Sequence, residues 1–238
     1  EPFVHKDFIE LAKKVADIEG IYKISMQSNG TLVKKEQIDE LDSIGIPIRI
    51  NLSIHSTDKE EAKELAGNEN YEITQIVELA KYINSKKNIE LLLAPVWLPG
   101  LNDKGIGNIV ELAKELKCLI GIQKYEIYKY SRKMKKAKNI TFWKFYKKLE
   151  EWEKEHNTQL KLDPKIFKFE KMTRFPKTMD VNQKVYAEIK APGWIKGQMI
   201  GVANQRCVTI NKCNKPIGST AKVKIVQNKN NIYLANQL

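Results

Sequence analysis

Cysteine and long apolar stretches are the features that this sequence has least of. Its three cysteines, Cys118, Cys207 and Cys213, form no close pair, which argues against a disulfide framework and favours a reducing compartment. The longest apolar stretches, such as residues 89–98, are far short of the roughly 20 residues that a membrane-spanning helix requires. The first residues do not resemble a signal peptide. We therefore expect a cytoplasmic protein with no membrane partner.

Basic residues are concentrated in the second half of a chain whose composition is otherwise that of a folded protein. Of 238 residues, 42% are hydrophobic, which excludes wholesale disorder. The formal net charge is +12, yet residues 1–130 carry 17 basic and 21 acidic side chains. Residues 131–175 carry 14 and 6, and residues 176–238 carry 10 and 2. This asymmetry predicts a polyanionic partner bound at one end of the molecule. The alternative, a proteome in which every surface is lysine-rich, conflicts with the acidic N-terminal half.

Residues 1–130 alternate between helical and strand periodicity, and the connections between segments are short. Helices are predicted at residues 8–15, 37–44, 72–85 and 108–116. Strands are predicted at residues 21–26, 46–54, 89–96 and 119–127. This alternation predicts an α/β fold with a parallel sheet covered by helices. In such sheets, ligand-binding residues gather beyond the carboxyl ends of the strands.

Polar residues follow the predicted strands where a ligand site is expected. They are Ser28, Asn29, Ser53, His55, Trp97, Tyr125, Glu126 and Tyr128, together with the loop Pro99-Gly100-Leu101-Asn102-Asp103. Each of them alone has a structural explanation, because every parallel sheet ends its strands in polar loops. Together, at successive strand ends, they indicate a common site. For His55, the competing interpretation is a hydrogen-bonded structural histidine.

The two remaining parts of the chain have other patterns. Residues 131–175 are predicted to be a basic helical connector, with a helix at 141–156 that Thr141 caps. An apolar stripe on this helix, predicted to pack in a core or between domains, consists of Phe142, Phe145, Leu149 and Trp152. Residues 176–238 contain short strand-like segments separated by glycines, which predict a small five-stranded barrel.

Four short motifs of the N-terminal part resemble radical S-adenosylmethionine (radical SAM) enzymes. They are Glu1-Pro2, Ser28-Asn29-Gly30, Asn51-Leu52-Ser53-Ile54-His55 and Pro99-Gly100-Leu101-Asn102-Asp103. In that family, a Gly-Gly-Glu-Pro motif closes the second strand of a partial (β/α)6 barrel. The resemblance implies that residues 1–130 are a portion of such a barrel. The last motif is typical of the branch with the molybdenum-cofactor cyclase and the glycyl-radical activating enzymes.

The resemblance also implies how S-adenosylmethionine is bound. Glu1 would bind the α-amino group of its methionine, and Pro2 would shape that turn. Ser28 and Asn29 would line the methionine or substrate side.

Further along the chain, the resemblance implies contacts to the nucleoside and to the substrate. Either Asn51 or Ser53 would bind the ribose hydroxyls, and the backbone around Ala94-Pro95 and Ile122-Gln123 would hold the adenine. The residues expected to contact the substrate are His55, Tyr125 and Glu126.

The iron–sulfur cluster of this family lacks its ligands here. The Cys-x3-Cys-x2-Cys loop that binds the 4Fe–4S cluster precedes Gly-Gly-Glu-Pro, and none of the three cysteines has that spacing. We therefore expect a chain that begins inside the motif, with the cluster ligands upstream of Glu1 and no metal ligand in this chain. The family also requires an electron donor as a partner. The alternative is a relative without a cluster.

Residues 176–238 resemble a TRAM domain, a small OB-like RNA-binding barrel of several tRNA-modifying enzymes. The matching pattern comprises residues 184–189, Gly197, Gly201, and residues 207–210 and 218–225. Such barrels bind RNA through cationic grooves and stacking surfaces. The RNA-binding candidates are Lys190, Trp194, Lys196, Arg206, Lys212, Lys215, Lys222 and Lys224. For Trp194, a place in the barrel core is the alternative.

Together, the two resemblances imply a radical SAM enzyme that modifies RNA, tRNA in particular, through a 5′-deoxyadenosyl radical. One alternative is a non-catalytic RNA-binding protein on a radical-SAM-like scaffold. Another is a radical SAM enzyme that acts on a protein or a small molecule.

Overall fold

The computed structural model of this protein describes residues 1–127, 133–167 and 173–238. The chain divides into two compact units, Glu1–Lys168 and Phe169–Leu238. Tyr128 and two parts of the predicted connector, residues 131–132 and 168–172, lie outside the described residues. The division of the chain at 131 and 176 stays a prediction.

The first unit is built on a four-stranded parallel sheet. In spatial order, its strands are β1 (Ile24–Ser28), β2 (Ile48–Leu52), β3 (Ile89–Leu93) and β5 (Leu119–Ile120). A separate parallel pair consists of β4 (Val96–Trp97) and β6 (Gln123–Lys124). The predicted α/β fold with a parallel sheet is thereby confirmed.

Two predicted strands are each divided in two. Residues 89–96 form β3 and the start of β4, and residues 119–127 contain β5 and β6. The first break contains Pro95, which cannot donate a ladder hydrogen bond because it has no N–H group. Its carbonyl instead accepts a 2.7 Å hydrogen bond from the N–H of Gln123. The pairing therefore passes from the main sheet to β4 and β6.

Helices of the first unit are α1 (Phe8–Ala16), α2 (Lys35–Asp42), α3 (Lys59–Ala66), α4 (Ile73–Asn84), α5 (Asp103–Leu116) and α6 (Phe142–His156). Short 3-10 turns span Pro2–Val4 and Pro164–Phe167. Helix α3 is not among the predicted helices, because it has only 8 residues and its apolar stripe is confined to Ala62, Leu65 and Ala66. In the part of the chain that the structure describes, no helix is both long and apolar enough to cross a membrane.

The apolar core of the first unit lies between the sheet and its helices. It includes Ile50 and Leu52 of β2. Of the stripe predicted on α6, Phe145, Leu149 and Trp152 are buried, and the Trp152 ring centroid lies 5.1 Å from that of Trp97.

The prediction was wrong for Phe142, which is 57% exposed. This residue opens α6, and its ring stacks on Tyr146 of the next turn, with 6.3 Å between the centroids. It therefore stays at the surface rather than in the core.

The other face of the sheet is polar, and an ion pair lies at its centre. The guanidinium of Arg49 in β2 donates hydrogen bonds of 2.7 and 2.9 Å to the carboxylate of Glu90, its neighbour in β3. Arg49 is only 3% exposed, and its guanidinium lies 4.6 Å from the ring centroid of Phe167. Burial by itself raises the pKa of Glu90, but hydrogen bonds from Lys23 and Arg49 outweigh it and hold this pKa below its usual value. The ionised pair fixes β2 against β3.

The second unit is a closed five-stranded barrel, as predicted. Its strands are β7 (Lys184–Pro192), β8 (Met199–Ala203), β9 (Arg206–Asn211), β10 (Thr220–Gln227) and β11 (Tyr233–Gln237), in the spatial order β10, β11, β9, β8, β7. Alternate residues such as Val185, Ala187 and Ile189 fill its core. A Cβ atom on Gly201 would lie 2.9 Å from the Ile210 side chain. This glycine therefore allows β8 and β9 to approach closely.

Candidate cofactor site and basic barrel

Glu1 is held at the carboxyl end of β1 by hydrogen bonds. Its Oε1 accepts a 2.9 Å hydrogen bond from the hydroxyl of Ser28, and its Oε2 accepts a 2.8 Å hydrogen bond from the backbone N–H of Asn29. Oε1 also accepts a 3.3 Å hydrogen bond from the N–H of Phe3, which caps the turn formed by Pro2–Val4. The structure thus brings Glu1, Pro2, Ser28 and Asn29 together, and their role in binding a cofactor stays a prediction.

The chain turns sharply behind this carboxylate. The hydroxyl of Ser28 accepts a 3.0 Å hydrogen bond from the N–H of Gly30, whose φ is +79°. A Cβ atom on Gly30 would lie 3.0 Å from the Leu52 side chain and 3.2 Å from that of Ile76. Glycine is required here by both the left-handed backbone and the close packing. The turn directs the N–H of Asn29 at Glu1.

Asn51 and Ser53 extend the polar sheet face towards this turn. Residues two apart in a strand project to the same face. The amide of Asn51 donates a 3.2 Å hydrogen bond to Ser25, and the hydroxyl of Ser53 accepts a 3.1 Å hydrogen bond from the amide of Gln27. Both predicted ribose ligands therefore lie beside β1, and Ser53 retains its hydroxyl proton for a further acceptor.

A pocket of about 280 Å³ lies next to these strand ends. It is lined by Asn29, Thr31, Ser53, His55, Ala62, Leu65, Ala66, Asn68 and Tyr71. None of these side chains carries a full charge, because burial lowers the pKa of His55 and raises that of Tyr71 to about 12. The pocket can hold a neutral group with several hydrogen-bonding positions.

The tautomer of His55 follows from its partner. Its Nδ1 lies 3.1 Å from the backbone N–H of Val96, which can only donate, so Nδ1 is the acceptor. The ring proton is therefore on Nε2. His55 is at once a structural hydrogen-bonding residue and part of the pocket lining.

The loop after β4 holds the backbone of His55 in place. Asn102 is fully buried, and its amide donates 3.0 Å hydrogen bonds to the carbonyls of His55 and Val96. Its Oδ1 accepts a 2.8 Å hydrogen bond from the N–H of Leu98. Asp103 accepts hydrogen bonds from the indole of Trp97 and the N–H of Gly100. The Pro-Gly-Leu-Asn-Asp motif therefore stabilises the backbone around His55 and Val96. The sequence did not reveal this structural role.

Three predicted site residues lie after β5 and are not part of the pocket lining. Gln123 is exposed on β6. The hydroxyl of Tyr125 accepts a 3.1 Å hydrogen bond from the N–H of Met134, and Glu126 forms a 2.8 Å ion pair with Lys124. Their roles in binding cofactor and substrate stay predictions.

The described residues contain no group of three or more His, Cys, Asp or Glu side chains that could hold a metal ion. Cys118 lies in the first unit, and burial raises the pKa of its thiol to about 11. An iron–sulfur ligand must be a thiolate, so this environment does not fit that role.

The RNA-binding candidates lie on strands and loops of the barrel. Lys190 lies on β7, Arg206 on β9, and Lys222 and Lys224 on β10. The three remaining lysines lie in loops: Lys196, Lys212 and Lys215. Trp194 is 91% exposed, which excludes the barrel core for it. Two cations are engaged already, since Lys190 forms a 2.6 Å ion pair with Glu188 and the guanidinium of Arg206 lies 5.4 Å from the ring centroid of Phe175.

The N-terminal part of the chain is similar to a known protein family. Residues 1–113 match the family model described as the radical SAM superfamily. An uncharacterised protein of Methanocaldococcus jannaschii, MJ0103, is 34% identical in an alignment of 261 residues. This alignment covers 99% of this chain and 60% of MJ0103. The GTP 3',8-cyclase of Aquifex aeolicus is 26% identical over 118 residues, or 49% of this chain and 35% of the cyclase.

Solved structures of Streptococcus suis SuiB share the fold. The complex with S-adenosylmethionine has a TM-score of 0.51 at 17% identity, over 68% of this chain and 37% of SuiB. The complex with the precursor peptide SuiA has a TM-score of 0.53 at 18% identity, over 67% of this chain and 35% of SuiB. At this identity the likeness concerns the fold alone. Residues 1–113 therefore match the radical SAM superfamily, and the solved structures add that the fold is shared. The chain spans 60% of MJ0103 and about a third of the cyclase and of SuiB.

Proposed function

We propose that this protein is a radical SAM enzyme that modifies RNA, tRNA in particular. The observation that carries the proposal is the combination, in one chain, of a radical SAM domain with a closed barrel whose segment 176–238 has 10 basic and 2 acidic residues. In this proposal the first unit is a portion of a partial (β/α)6 barrel, and the second unit is a TRAM domain. The cluster ligands would lie upstream of Glu1, and an electron donor for the cluster would be a further partner.

The residues at the end of β1 fit the amino acid part of S-adenosylmethionine. A carboxylate has about four lone-pair positions, and Glu1 uses three hydrogen bonds from Ser28, Asn29 and Phe3. It can therefore accept a further hydrogen bond from an ammonium group, in a charge-assisted contact. Because the carboxylate is already oriented, little side-chain entropy is lost when the cofactor binds.

The nucleoside part fits the polar sheet face. Ser53 can donate a hydrogen bond from its hydroxyl group to a ribose oxygen, and Asn51 lies two residues earlier on the same face of the sheet. The adenine would contact the backbone near Gln123. When bound beside a reduced cluster, the cofactor held by Glu1 and Ser53 would supply radical chemistry, through a 5′-deoxyadenosyl radical, for removing a hydrogen atom from an unactivated carbon of the substrate. The chain itself binds, orients and excludes water.

In this proposal, part of the substrate binds in the neutral pocket. His55 presents Nε2–H as a donor and remains uncharged, so it suits the carbonyl oxygen of a nucleobase rather than a phosphate. Tyr125 and Glu126 would contact the parts of the substrate outside the pocket. The phosphates would be bound by the basic barrel.

The first test measures RNA affinity of the full-length protein, including the residues upstream of Glu1, against salt. Neutralisation of phosphates by several lysines predicts a steep fall in tRNA affinity between 50 and 200 mM salt. Affinity that does not change with salt would contradict the proposal. Deleting residues 176–238 should abolish RNA modification, whereas an enzyme that acts on a peptide or a small molecule would keep its turnover. A protein that binds tRNA but not S-adenosylmethionine would instead be the non-catalytic RNA-binding protein.

A further inference from the structure

The outer surface of β7 and β10 brings three lysines and a tyrosine together. These strands pair antiparallel, with Lys184 directly opposite Lys224 and Tyr186 directly opposite Lys222. All four side chains lie at the outward positions of the alternating burial pattern. Tyr186 is 67% exposed, and the ammonium of Lys222 lies 5.9 Å from its ring centroid. We call Lys184, Tyr186, Lys222 and Lys224 the tyrosine–lysine face.

The charges on this face are not compensated within the barrel. Like charges directly opposite each other on adjacent strands destabilise a sheet. Glu188, the one carboxylate on β7, is paired with Lys190 at 2.6 Å. Within the described part of the second unit, this is the only ion pair, so Lys184, Lys222 and Lys224 have no acidic partner there. A bound polyanion would remove the repulsion between Lys184 and Lys224.

The exposed tyrosine ring favours a nucleic acid that has an unpaired base. An exposed ring on a rigid strand offers a flat surface on which one base can stack, whereas bases inside a duplex are stacked already and cannot reach it. Trp194 is more exposed, but it lies in the connection between β7 and β8 rather than on a strand. Tyr186 is therefore the better preorganised stacking surface.

We propose that the tyrosine–lysine face binds a single-stranded stretch of RNA, with one base stacked on Tyr186 and adjacent phosphates at Lys184, Lys222 and Lys224. This inference rests on the proposed RNA-directed function and narrows it to a loop or another unpaired segment. It adds Tyr186 and Lys184 to the predicted RNA-binding residues.

The test compares a labelled oligouridylate with a blunt RNA duplex of the same length, both titrated with the full-length protein by fluorescence anisotropy. Tyr186→Ala should weaken binding of the single strand about 5- to 100-fold and leave duplex binding unchanged. Tyr186→Phe keeps the ring and should bind within about twofold of the wild type. Because Tyr186 lies outside the barrel core, both variants should keep the wild-type melting temperature.

Charge is tested with a matched pair of double variants. Lys184→Gln with Lys224→Gln should reduce the salt dependence of single-strand binding by about 1.4 in the log–log slope, the value for two phosphate contacts. Lys177→Gln with Lys229→Gln removes the same charge from exposed positions outside β7 and β10 that are not among the RNA-binding candidates, and should change the slope less. If Tyr186→Ala binds the single strand like the wild type, the tyrosine–lysine face is wrong and the RNA-directed function stands. If the wild type binds neither RNA, both are overturned.

Discussion

The hydroxyl of Ser28 lies 2.9 Å from the carboxylate of Glu1 and donates a hydrogen bond to it. The two residues are 27 positions apart, and α1 and β1 lie between them. Their contact therefore depends on the correct packing of a whole helix–strand unit. The same hydroxyl accepts the N–H of Gly30, so one side chain joins the candidate ligand to the turn that supports it.

Replacing Glu1 by glutamine should weaken the binding of S-adenosylmethionine. Glu1→Gln keeps the size of the side chain but removes the charge that the cofactor's ammonium would meet. A hydrogen bond to a charged group contributes about 1.5–3 kcal/mol, which corresponds to a loss of affinity of about 10- to 150-fold. Isothermal titration of the full-length protein with S-adenosylmethionine measures this loss.

The matched control for Glu1 is Glu10→Gln on α1, which removes an exposed carboxylate of the same type. This variant should bind the cofactor like the wild type. Equal affinities for Glu1→Gln and the wild type would remove Glu1 from the cofactor site.

The pH dependence of stability should report on His55. Burial lowers the pKa of His55, so the unfolded chain binds this proton more readily than the folded one. The stability from the neutral ring is fully present above the usual histidine pKa of about 6.5 and is lost as the pH falls below it. His55→Asn keeps an oxygen acceptor for the N–H of Val96 but cannot titrate. Its melting temperature should therefore fall less than that of the wild type between pH 7.5 and 5.5.

His5 provides the control for this experiment. Its Nδ1 also accepts a backbone hydrogen bond, from the N–H of Asp7, but on an exposed turn. His5→Asn measures what the loss of an exposed histidine does to melting. If the melting temperature of His55→Asn falls with pH as much as that of the wild type, His55 is not the group that makes the first unit sensitive to acid.

Periodicity predicts the sheet and most of its helices because their apolar residues recur at regular spacing. It misses α3, whose charged residues leave only Ala62 buried, and with it one wall of the pocket. It also cannot predict what Asn102 does. Sequence marks that residue as part of a polar loop, whereas its burial and its bonds to His55 and Val96 depend on strands that meet only in the folded chain. Short polar contacts between distant segments carry no periodic signal.

Gly30 should be more sensitive to substitution than Gly20, although the two have nearly the same backbone conformation. Their φ angles are +79° and +87°, so alanine costs about 1–2 kcal/mol of strain at either position. A Cβ on Gly20 meets nothing within 4 Å, whereas one on Gly30 lies 3.0–3.2 Å from Leu52, Ile76 and Leu79. Overpacking of this kind costs a further 1–3 kcal/mol, roughly. We expect Gly30→Ala to lower the free energy of unfolding by about 2–5 kcal/mol and Gly20→Ala by about 1–2 kcal/mol in urea denaturation.

The same pair of variants separates stability from the cofactor site. Gly30 donates its N–H to Ser28, which in turn donates to Glu1, so a displaced turn should also weaken the binding of S-adenosylmethionine. Gly20 lies in the connection before β1 and has no such link, so Gly20→Ala should bind the cofactor normally. A Gly30→Ala variant that is as stable as Gly20→Ala would mean that the core yields to the extra methyl group. If it also kept wild-type affinity, the turn would not be what positions Glu1 for the cofactor.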